Sequence, residues 1–188
     1  MATTMRLIAK NVLAAGATSV TFSDIPSAYT DLVLVASARS ARSAVVEDVN
    51  IRFNGDTTSG NYSHRRLYST PTTAVSDTAG SPVYVPAASV TASTFGSMQV
   101  VVPNYGGSTA KSYSADIVVE NNSGTYGDAF VGGEIQSSVL NGAAHPFARF
   151  FDFGVRQTHQ SKTGQAIGQV HLDCDGGRSQ AQQGAAVN

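Results

Sequence analysis

The feature of this sequence that most restricts its fold is a period of two. In Asp31-Leu-Val-Leu-Val-Ala-Ser-Ala-Arg39, the residues Leu32, Leu34, Ala36 and Ala38 fall on one side. That is the spacing of a strand, not of a helix. Val49, Ile51 and Phe53 repeat the pattern, with Asn50 and Arg52 on the opposite side. Residues 97–102, 115–120, 128–136 and 146–155 read as further strands, and shorter ones are expected at 6–13, 19–23, 62–68 and 83–85. The segments between them are Asn54-Gly-Asp-Thr-Thr-Ser-Gly-Asn61, Pro103-Asn-Tyr-Gly-Gly-Ser108 and Asn121-Asn-Ser-Gly124. Gly and Asn accept positive φ, and Asn, Asp and Ser side chains bond back to the local backbone, so such segments end strands. About nine or ten short strands with this punctuation predict an all-β, antiparallel two-sheet sandwich. Only residues 40–47, through Ala41, Ala44 and Val45, carry helical spacing.

Composition agrees with the pattern. Charged residues make up 13% of the chain, and 22 serines and 17 threonines stand where a helical surface would carry Glu and Lys. Twelve Lys and Arg against 13 Asp and Glu leave a net charge of -1, with no basic stripe, so no nucleic-acid partner is expected. A single cysteine, Cys174, excludes an intrachain disulfide and a Cys-x-x-Cys metal site. The opening residues lack a signal-peptide core, and no apolar run is long enough to span a bilayer; no membrane partner is expected, and the protein reads as soluble and made in the cytoplasm. At 188 residues the chain can build one real core. Its composition changes near residue 156: seven glutamines follow, against two before. The expected organisation is a sandwich domain over 1–155 and an extended Gln/Gly-rich C-terminal arm over 156–188. Within that arm, 165–173 alternates like one more strand.

The candidate chemistry is sparse. His159, His171, Asp173 and Asp175 are the best imidazole and carboxylate set, yet they lack the tight spacing of a metal site, and no metal or other cofactor is expected. Asn54, Asp56 and Asn61 are explained by turn chemistry without an ion. There is no Gly-x-Ser-x-Gly elbow, and Cys174 sits in the polar tail. Asp116, Glu120, Asp128 and Glu134 could pair as carboxylates only if the fold brought them together. No catalytic residue is assigned, and the chain is expected not to be an enzyme. Tyr62, Tyr68, Tyr84, Tyr105, Tyr113 and Tyr126 sit in or beside loops, where a lectin would stack sugars, although tryptophan is absent. Phe147, Phe150, Phe151 and Phe153 make one strand apolar on both faces, suited to a core or a neighbouring subunit. With Arg156, His159 and His171 they form the expected interface set.

Several segments together resemble small virion structural proteins of tailed bacteriophages. They are Ala-Thr-Ser-Val-Thr-Phe-Ser-Asp-Ile-Pro-Ser-Ala-Tyr-Thr-Asp-Leu-Val-Leu-Val-Ala-Ser within 14–37, Ile51-Arg-Phe-Asn-Gly-Asp-Thr57 and Asn61-Tyr-Ser63. Ala92-Ser-Thr-Phe-Gly96, Val102-Pro-Asn-Tyr-Gly-Gly-Ser-Thr109 and Glu120-Asn-Asn122 continue the series. The resemblance covers residues 5–140 and implies a jelly-roll-like sandwich without enzymatic activity. It implies a place in the virion, as a capsid decoration or cement protein, a homotrimer that clamps the major capsid protein or other virion proteins. The alternative it leaves open is a tail or fibre component that touches the host surface, with a glycan as partner. After Leu140 the chain departs from the pattern, ending in the Phe-rich strand and the Gln/His-rich tail.

Overall fold

In the strands that carry the core, the alternation seen in the sequence becomes burial. The structure, a computed structural model, describes residues 5–14, 16–26, 28–69, 72–79, 81, 83–106, 109–119, 128–136, 149–155 and 169–175, with 128–130 and the last two segments described by backbone and register. The strands are β1 (Met5–Val12), β2 (Ser19–Ser23), β3 (Asp31–Ala38), β4 (Val46–Phe53), β5 (Tyr62–Ser69) and β6 (Ala74–Asp77). They continue as β7 (Val83–Pro86), β8 (Gly96–Val102), β9 (Lys111–Val118), β10 (Asp128–Ile135), β11 (Arg149–Val155) and β12 (Gln169–Asp175). One sheet has eight strands in the order β1-β12-β3-β8-β9-β10-β5-β6, and the other has four in the order β2-β11-β4-β7. Every pairing is antiparallel. The chain is an all-β protein of two sheets, with a single 3-10 turn at Ser59–Asn61 among the described residues.

The core lies between the sheets. Leu32 and Leu34 of β3, Met98 and Val100 of β8 and Ile117 of β9 meet Val49, Ile51 and Phe53 of β4 and Val83 and Val85 of β7 in one cluster. Each such side chain contributes about 1.5–3 kcal/mol by leaving water, so this face accounts for much of the stability. In β7 all four residues are buried. At Gly96 a Cβ would lie 2.7 Å from Pro86 Cδ, so the glycine lets β8 approach the edge of the smaller sheet.

Three boundaries differ from the sequence reading. Strand β9 begins at Lys111, not at residue 115, because Lys111 and Tyr113 continue its inward face. Strand β6, only four residues of Ala, Val, Ser and Asp, was not expected and completes the sheet beside β5. Residues 40–45 are not helical. Ser40 N donates to Pro86 O, while Ala87 N, Ala88 N and Ser89 N donate to the carbonyls of Val45, Arg42 and Ala44. These cross-chain bonds use the backbone groups that a helix would need. In the region expected to form an arm, residues 169–175 form β12, inserted between β1 and β3. The other residues of 156–188 lie outside the described ones.

Candidate functional site

The segments that carry the virion resemblance occupy the joints of the sandwich. Positive φ occurs, among the described residues, at Asp24, Asn54, Gly55, Ser93 and Asn104, and all five lie in those segments. Asn104 N donates to Asp31 Oδ1 at 2.8 Å, Tyr105 N donates to Thr30 O at 3.1 Å, and the Tyr105 hydroxyl donates to Pro26 O. The 24–31 loop and the 102–106 turn are therefore one unit. In the same way the Tyr62 hydroxyl donates to Asp56 O at 3.1 Å and accepts from Phe53 N at 3.2 Å, while Asp56 accepts from Thr58 N and Asn61 Nδ2. Those bonds account for Asn61 and Asp56 as turn residues; the described residues hold no group of three His, Cys, Asp or Glu side chains suited to a metal ion.

Of the expected interface set, Phe147, Arg156 and His159 lie outside the described residues. Phe151 stands in register with Phe22 and Phe53, and Phe153 with Val20 and Ile51, all four of which are buried core residues. Phe150 falls at the irregularity of the β2 pairing, and His171 stands in register with Lys10 and Val35. Asp116 and Glu134 face outward but are separated along the β9–β10 ladder by four residues, roughly 13 Å, and do not form a carboxylate pair. Ser108-Thr-Ala-Lys111 is a Ser-x-x-Lys spacing, a pair that the reading of the sequence counted as absent, and this corrects it. Its Lys111 is buried, with Nζ 3.4 Å from Thr109 Oγ1, and burial pulls its pKa down. Ser108 lies outside the described residues.

The tyrosines are not a surface platform. Tyr84, Tyr105 and Tyr113 are buried, Tyr62 and Tyr68 are half-buried, and Tyr126 lies outside the described residues. Most of them join a polar cluster inside the β5–β6 end of the sandwich. Arg66 donates to Asp77 Oδ1 at 2.7 Å and to Ser81 O at 3.2 Å, lies 3.6 Å from Asp48, and stacks on Tyr68 at 5.4 Å. Arg52 sits over the Tyr62 ring at 4.9 Å, and Tyr68 meets Tyr84 edge to face. The bond from Arg66 holds the Asp77 carboxyl below its ordinary range, and burial pushes the Tyr62 phenol up to about 12. Between them His64 has a buried Nε2 without a hydrogen-bond partner among the described residues, and burial lowers its pKa. This cluster satisfies charge inside the fold.

A concave feature that faces solvent lies on the outer side of the eight-stranded sheet. Two register rows build it. One runs Val101–Ser114–Gly132–Arg65, and the other carries Gln99 and Asp116 on β8 and β9 and Leu67 and Ser76 on β5 and β6. Together they enclose a depression of about 590 Å³. Its lining is mostly apolar, with Arg65, whose Nη1 donates to Ser76 Oγ at 3.3 Å, and Asp116 as its charged residues. No lining residue belongs to the resemblance segments. The sequence reading missed it because its residues come from five strands, although the unexplained glycine in β10 was visible. Comparison of the chain with protein-family models, curated proteins and solved structures finds no match.

Proposed function

We propose that the protein is a non-enzymatic structural component of a tailed-bacteriophage virion, a capsid decoration protein that binds and stabilises the outer head surface. The observation that supports this reading most is the use to which the resemblance segments are put. Their Asp, Asn, Tyr and Gly residues make left-handed turns and loop-locking bonds, so these segments serve the scaffold and not a reactive site, which supports a structural role. A jelly-roll-like sandwich of low charge, held at its joints by such bonds, suits a part that sits among protein neighbours. Many identical weak contacts would then add through multivalency. The chain is proposed to act as a homotrimer against the major capsid protein.

Electron cryo-microscopy of the virion tests the reading. The expected result is density for this sandwich at every equivalent position of the head lattice, together with a trimer mass by light scattering in solution. Density confined to the tail, or a few copies per particle, overturns decoration in favour of the tail or fibre alternative. Absence from the virion overturns both.

A further inference from the structure

We propose that the depression on the outer face of the eight-stranded sheet is a binding site for a short neutral saccharide. The argument starts from two adjacent glycines in β10. Gly133 has a reason inside the fold: a Cβ there would collide with the Tyr113 ring. Gly132 has none among the described residues, since a Cβ there would meet none of their atoms within 4 Å. Glycine weakens a strand interior, and where the fold does not require it, it marks the close approach of something from outside. Gly132 is exposed in the lining of the depression, between Ser114 and Arg65 in register.

The lining selects the class of occupant. Leu67 and Val101 offer apolar surface, while Gln99, Asp116 and Arg65 offer planar polar groups in the same lining. That set matches a molecule with C–H faces and hydroxyls around its edge, each hydroxyl both donor and acceptor. One cation and one anion favour a neutral ligand over an acidic or basic one. The rows cross five strands, roughly 19 Å, the span of a few sugar rings. A peptide laid on this face would find no backbone partners, because those lie at sheet edges. Two copies meeting face to face would enclose two hollows and fill neither. The proposal goes beyond a place in the virion and does not depend on it.

The test uses the isolated full-length chain. Saturation-transfer NMR with neutral trisaccharides of glucose, galactose, mannose and N-acetylglucosamine, at millimolar concentration, is expected to show binding by at least one. Amide shifts are expected at Gln99, Ser114, Asp116 and Gly132. Gly132→Leu, whose Cβ enters open space and whose longer side chain adds bulk at the depression, is expected to weaken binding by at least about tenfold. Asp116→Asn, an exposed and nearly isosteric change, is expected to weaken it by a smaller factor. The proposal is overturned by no transfer to any of these sugars, by binding that Gly132→Leu leaves intact, or by a preference for a sialylated sugar. Shifts of the same amides with protein concentration alone, the sign of self-association, also overturn it.

Discussion

The two glycines of β10 ask opposite things of a methyl group, and stability measurements separate them. Gly133→Ala drives a Cβ into the Tyr113 ring and should cost about 1–3 kcal/mol in urea unfolding. Gly132→Ala enters open space and should instead stabilise by about 0.5–1 kcal/mol, the usual difference between Ala and Gly in a strand. His64 supplies a pH signature. It faces Arg66 on its own strand, Asp77 on β6 and Asp48 on β4, and Tyr113 covers the neighbouring backbone across β10. Burial first, then Arg66, keeps its folded pKa below the unfolded value of about 6.5. Above that value both states are neutral and stability is complete. As pH falls from there through the folded pKa, the unfolded chain takes up the proton first and stability declines. His64→Gln should flatten the urea midpoint across that window; an unchanged slope would mean that the loss comes from other groups. At this scale little was readable from sequence: one His among Arg and Tyr says nothing of burial, and Gly132-Gly133 reads as a single flexible pair.

At the scale of elements, the alternating strands were legible because burial on one face forces a period of two. The failures came where pairing outside the segment decides conformation. Residues 40–45 have helical spacing, yet they zip against 86–89. Strand β6 is too short to show a period, and Lys111 hides the start of β9 because a lysine reads as an outward residue. The same lesson applies to Arg39 at the end of β3. Its guanidinium donates to the carbonyls of Thr91, Thr94, Val90 and Ala88 and to Thr94 Oγ1, at 2.7–3.4 Å. This one side chain shapes the loop before β8, and a lysine cannot reproduce its fork. Arg39→Lys should cost about 1.5–3 kcal/mol. Hydrogen exchange should show the loss as faster exchange over 88–95, with β10 unchanged.

For the whole molecule, the two-sheet class followed from strand number and turn chemistry, whereas the order of strands did not. Nothing in Arg65 or Asp116 announces that β5 and β9 flank β10, so the depression had no signature before the register was known. Placement of β12 leads to a prediction of the same kind. It is the partner of β1 and an edge cover for β3. A chain ending at residue 168 should lose β1 as well, expose the β3 edge and aggregate on heating. A chain ending at residue 175 should unfold cooperatively like the full protein; equal behaviour of the two truncations in a thermal melt would show that β12 does not hold the sheet.

That placement also sets an order of events in time. β1 is the first of the described strands along the chain and its neighbour β12 the last, so β1 is made well before the strand it pairs with. Until β12 is made, β1 has no strand to join and β3 has one open edge, so the nascent chain carries a gap that residues 169–175 close. Contacts so distant along the chain are slow to form and leave sticky edges bare in the meantime. The interval between synthesis of β1 and arrival of β12 is when neighbouring chains compete to fill that gap.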